Sequence, residues 1–164
     1  MIRKHKKMAL IGDGTFPKFA GKERYNKMKT IATQVVLHSP SVIYLCPTKG
    51  VNINIVPFLI GHEMKFRLIL PSRNFFSSLD AKEKKIFKAA AAKADKIIIL
   101  DESECQPLRW FSDWEAASKK AVDNSDWVML VHNSTQSSAG FGELLSSFKG
   151  ETKPVVAVGL EPEE

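Results

Sequence analysis

Residues 41–71, SVIYLCPTKGVNINIVPFLIGHEMKFRLILP, restrict the folds open to this chain more than any other stretch. Two short runs rich in β-branched and aromatic residues, 42–45 and 66–70, lie just ahead of prolines and read as buried strands. Between them come a loop without bulky aliphatic residues, 46–50, and an apolar helical segment that contains Pro57. Pro57 either occupies the first turn of that helix or kinks it. A loop at the carboxyl end of a parallel strand is where open α/β sheets bind ligands. Gly50 would let the backbone approach a ligand, and the N–H groups opening the next helix would favour an anion. Lys49 adds a positive charge beside them. A tight turn made by proline and glycine is the plainer account of the same residues.

The rest of the chain repeats the alternation. Residues 8–11 form a first strand, and Gly12, Asp13, Gly14 and Thr15 form its turn. A helix over 22–38 follows, with Tyr25, Met28, Ile31, Ala32, Val35 and Val36 spaced to bury one face. Asp80 is placed to cap a helix running to about residue 94. A fourth strand at 96–100, a helix near 110–124, a fifth strand at 126–131, a short helix at 140–148 and a sixth strand at 154–158 complete the series. Strands separated regularly by helices imply one domain over residues 1–164. It would be an α/β, three-layer Rossmann-like fold with a mostly parallel sheet of five to six strands flanked by helices. The expected strand order is third, second, first, fourth, fifth, with the sixth beyond the fifth.

At 164 residues the chain can bury a substantial core. No apolar run is long enough to cross a bilayer, and the basic N-terminus precedes too short an apolar stretch for a signal peptide. Two cysteines without metal-ligand spacing point to a reduced, cytoplasmic setting with no metal and no cofactor. The net charge of +6 conceals an asymmetry: residues 1–100 carry nineteen Lys/Arg against six Asp/Glu, and residues 101–164 carry five against twelve. The basic portion suits phosphates on nucleotides or nucleic acid, although a solvated surface of mixed charge is the plainer account. Phe75 and Phe76 beside Arg73 form no basic-aromatic stripe.

Three strand-end loops then compete for one pocket. Gly12-Asp13-Gly14 is a G-x-G without the rest of a dinucleotide fingerprint, because Phe16-Pro17 follows. Asp13 suits ribose hydroxyls or simple turn capping. Thr48, Lys49 and Gly50 form the second loop. In the third, Ser137, Ser138, Gly140 and Gly142 offer hydroxyls and small backbone positions ahead of a helix, which is phosphate-binding chemistry. Glu143 stands at the start of that helix, either complementing its dipole or facing the pocket as a catalytic carboxylate.

LIGDGTFP, CPTKGVN, DNSDWVMLVHNSTQSSAGFGELL and KPVVAV resemble, in order and pattern, successive segments of the SLOG superfamily, especially its YpsA-like branch. That superfamily includes the DNA-processing protein A and the LONELY GUY phosphoribohydrolases. The resemblance implies nucleotide binding at the carboxyl ends of the strands. Two departures matter: the second loop has Pro47 and Thr48 in place of the superfamily's usual paired glycines, and Ser146 occupies the catalytic glutamate position of the LONELY GUY pattern. Glu143 stands in the threonine place of that pattern.

The leading expectation is therefore binding of a nucleotide or nucleotide-derived small molecule. An N-glycosidic hydrolase or transferase using Glu143 is the alternative, because SSAGFGE is similar to the late loop of nucleoside deoxyribosyltransferases with one residue fewer. Asp13, Asp101, Asp113 and His132 are its candidate proton-transfer partners. A DNA-associated module comes third, since no base-reading motif accompanies the basic half. A homo-oligomer is left open, and no membrane partner is expected.

Overall fold

The computed structural model describes residues 6–14, 16–72, 79–101, 110–133 and 153–160, with the backbone alone at 101 and 110–113. Its first crossover joins β1 (Lys7–Gly12) through α1 (Glu23–His38) to β2 (Val42–Leu45). The pattern continues with α2 (Val51–Gly61), β3 (Phe66–Ser72), α3 (Ala81–Lys93) and β4 (Lys96–Asp101). The remaining elements are α4 (Trp110–Asp123), β5 (Trp127–His132) and β6 (Val155–Gly159). The expected helix at 140–148 lies outside the described residues.

All five strand pairings are parallel, and the sheet order is β4-β3-β2-β1-β5-β6. This corrects the expected order in one respect: the fifth strand, not the fourth, lies beside the first. Met8 pairs with Trp127 and Gly12 with Val131, while Leu68 of β3 pairs with Ile97 of β4. The burial of the two strands shows why. Trp127, Val128, Met129 and Val131 of β5 are all within 4% of full burial, as a strand covered on both faces requires. β4 leaves Ile97 and Leu100 more than a third exposed, as an outlying strand can. Right-handed crossovers carry the chain outward from β1 to β4 with α1, α2 and α3 on one face. α4 then returns across β3, β2 and β1 and packs against them.

Each helix buries what its period dictates. Met28, Ile31, Ala32 and Val35 form the buried stripe of α1, while Tyr25 stays 58% exposed and rests on Phe58 with ring centroids 5.1 Å apart. In α4 the stripe is Trp114, Ala117, Ser118, Ala121 and Val122. α2 touches α1, α3 and β1, which explains its nearly continuous apolar sequence. Pro57 lies in the interior of α2, so the first-turn option does not hold. Its missing N–H falls on the exposed side of the helix. Asp80 caps α3 through a reciprocal pair: its Oδ1 accepts from Glu83 N at 2.8 Å, and Glu83 Oε1 accepts from Asp80 N at 3.1 Å. No helix among the described residues is long and apolar enough to cross a membrane.

Candidate functional site at the carboxyl rim of the sheet

The order of strands reverses direction between β1 and β5, and a crevice at the carboxyl ends of strands on either side of such a switch is the usual ligand position in open α/β sheets. Three loops meet there. β1 ends at Gly12, β2 ends four residues before Lys49, and β5 ends at His132. Asp13 holds the three together. Its N–H donates to Val131 O at 2.8 Å, its carbonyl accepts from Val51 N at 3.0 Å, and its carboxylate Oδ2 accepts from Asn133 N at 3.2 Å. The residue is fully buried. This gives the carboxylate the loop-tying work of a capping aspartate, and binds the first loop to the start of the late one.

The second loop is folded onto the first. Gly50 takes φ +93°, and a Cβ there would lie 2.5 Å from the Asp13 carbonyl oxygen and 2.6 Å from Gly14 Cα. Only glycine satisfies both the backbone angle and the contact. Gly12 is equally tight: a Cβ on it would fall 2.6 Å from Asn52 Oδ1 and 2.6 Å from Val51 Cβ. These two glycines therefore let the β1 loop, the β2 loop and the first turn of α2 close on one another.

Asn52 is the stitch between the strand ends. Its Nδ2 donates to Cys46 O at 2.7 Å while its side chain lies over Gly12. Thr48 and Asn52 are both buried, at 1% and 2% exposure, and among the described residues neither Thr48 Oγ1 nor Asn52 Oδ1 has a hydrogen-bond partner. A buried acceptor left without a partner costs about 1–3 kcal/mol, so two at one rim mark a place where stability has been given up. Asn52 was not among the residues expected from sequence. Its signal was legible, however, since two asparagines interrupt an otherwise aliphatic helix at 52 and 54.

The electrostatics differ from expectation in one detail. Two of the first three N–H groups of α2 are bonded to loop carbonyls, Val51 N to Asp13 O and Ile53 N to Thr48 O, while Asn54 N makes the first helical bond, to the Gly50 N-cap carbonyl. The positive end of the helix dipole remains, but the donors of residues 51 and 53 are used to build the loop. An anion at this rim would therefore meet the half-buried Gly14 and the exposed Lys49 before it met the amides of residues 51, 53 and 54.

Of the residues singled out in the sequence, Gly12, Asp13, Gly14, Thr48, Lys49 and Gly50 stand together at this rim. Thr15, Ser137, Ser138, Gly140, Gly142 and Glu143 lie outside the described residues, as do the side chains of Asp101 and Asp113. Residues 137–143 follow, in sequence, Asn133, which belongs to the cluster. His132, the last residue of β5, is half-buried, and its carbonyl accepts from Leu160 N at 2.8 Å. Among the described residues no group of three or more His, Cys, Asp or Glu side chains is placed to hold a metal ion.

No protein-family model matches the chain, and no curated protein matches it.

Proposed function

We propose that the chain binds a nucleotide or nucleotide-derived small molecule at the carboxyl rim of its sheet, as its resemblance to the YpsA-like branch of the SLOG superfamily implies. The observation that carries this reading is the meeting of Gly12–Gly14, Thr48–Gly50 and Asn133 where the strand order reverses between β1 and β5. The loops are glycine-tight, which brings backbone to the rim, and Lys49 supplies the accessible positive charge for a phosphate. Binding is favoured over catalysis because these groups recognise and hold. Among them there is no nucleophile beside a base.

The test is a thermal-unfolding screen of the full chain with AMP, ADP, cyclic AMP and ADP-ribose, each followed by an assay for free base. A ligand present at about 100 times its Kd stabilises by about 2.7 kcal/mol, which for a domain of this size raises Tm by roughly 5–10 °C. At least one of the four should do so without base release, and Lys49→Ala should weaken it more at low salt than at high salt. Failure of all four to shift Tm would overturn the reading. Release of base would replace it with N-glycosidic chemistry.

A further inference from the structure

A second recess, lined by none of the rim residues, lies on the helical layer formed by α1, α2 and α3. It has a volume of about 350 Å³. That is near the small end of the range of about 300–1,000 Å³ typical of ligand pockets. Its apolar surface comes from Tyr25 and Met28 of α1, Pro57 and Phe58 of α2, and Ile86 of α3. Met28 is buried, whereas Tyr25 is 58% exposed with its ring tilted over Phe58. An aromatic side chain left in water beside a second ring is a ready platform for a flat apolar group.

The polar part of the recess has one sign. Arg24 and Lys82, the second residues of α1 and α3, line it, and among the described residues no carboxylate does. The carboxylates next to them in sequence are engaged elsewhere: Glu23 Oε1 accepts from Ala20 N at 2.8 Å, and Glu83 Oε1 accepts from Asp80 N. The Arg24 guanidinium carbon lies over the Phe16 ring, 4.2 Å from its centroid, while the residue stays exposed. Both cations also sit at the positive ends of their helices. Asn54, the remaining polar lining residue, commits its Nδ2 to Gly50 O at 2.7 Å, so recognition of charge falls to Arg24 and Lys82.

We propose that this recess is a binding site for a small aromatic anion, with the ring system against Tyr25 and Phe58 and the carboxylate or sulfonate facing Arg24 and Lys82. Its lining shares no residue with the strand-end rim, and the proposal does not rest on the reading of that rim.

The probe is 1-naphthoate, titrated into the isotopically labelled full chain and followed by amide NMR, with neutral 1-naphthamide as its control. Saturable shifts should centre on residues 24–28, 54–58 and 82–86, and naphthoate should bind more tightly than naphthamide. The double variant Arg24→Gln/Lys82→Gln changes two exposed residues, and its own spectrum reports whether the fold is kept. It should weaken naphthoate by at least about threefold and leave naphthamide unchanged. No saturation, shifts centred elsewhere, or an unchanged preference for the anion in the double variant would each overturn the proposal. A nucleotide at the rim would instead move residues 12–14 and 48–50, so the two sites succeed or fail separately.

Discussion

The carboxylate of Asp13 accepts a hydrogen bond from the backbone N–H of Asn133 at 3.2 Å, across 120 residues of chain. Both residues are buried, and they join the turn after β1 to the end of β5, the two central strands on either side of the switch in strand order. The bond ties the first loop to Asn133, the residue that follows β5.

Asp13→Ala should therefore lower the stability of the whole domain. It leaves the Asn133 N–H without its acceptor in a buried place, a change that costs about 1–3 kcal/mol. Asp13→Asn keeps an acceptor oxygen and should cost less. Urea unfolding of the two variants checks the order. An Asp13→Ala midpoint equal to that of the wild type would mean that the bond contributes nothing.

Gly50→Ala should be among the most damaging single-methyl changes in the chain. Its φ of +93° and ψ of −135° lie where only glycine is at ease, and the added Cβ would sit 2.5 Å from the Asp13 carbonyl oxygen. The backbone angle alone costs about 1–3 kcal/mol, and relieving the contact means separating the first two loops. Gly21→Ala is the internal control. Gly21 also has positive φ, +54°, but a Cβ there meets nothing within 4 Å, so only the conformational cost of about 1–2 kcal/mol remains. Comparable unfolding midpoints for the two variants would refute the close approach of the loops.

The far side of the sheet supplies a pH prediction. Arg67 Nε donates to Asp95 Oδ2 at 2.8 Å, and its other guanidinium arm donates to Tyr44 Oη at 2.7 Å. The Arg67 hydrogen bond holds the Asp95 carboxyl below its ordinary pKa, with Lys65 and Lys96 adding smaller electrostatic help. A carboxyl depressed in the folded state contributes stability that is present above its unfolded pKa and disappears as pH falls through the folded value. Asp95→Asn should thus be less stable than the wild type at neutral pH. The difference should shrink below about pH 4 and vanish under the depressed pKa. Both partners are partly exposed, so the difference is also smaller at high salt. A gap between the two proteins that stayed constant down to pH 2 would assign the effect to packing.

The elements themselves were legible in the sequence, because each is governed by near neighbours. The period of Met28, Ile31, Ala32 and Val35 specifies a helix face, the Asp80 and Glu83 pair specifies a helix start, and the run at 42–45 specifies a strand. The candidate loops could be named for the same reason, since each lies directly after a strand. Tyr25 is an instructive departure: it has the right spacing for the core, yet the turn of α1 to which it belongs overhangs α2, so its ring lies on Phe58 and in solvent.

Tertiary structure alone decided which strands became neighbours and which loops met. KIIIL at 96–100 and WVMLV at 127–131 are both apolar runs, and nothing in either states that one is central and the other outlying. The choice depends on where α4 lies, and it places β5 against β1 because α4 recrosses β3, β2 and β1. The contact of Asp13 with Asn133 follows from that placement, and those of Gly50 with Gly14 and of Asn52 with Gly12 follow from the pairing of β1 with β2. Local propensity acts over a few residues, whereas these contacts are made by loops brought together only when the hydrophobic faces of distant helices and strands are buried at once.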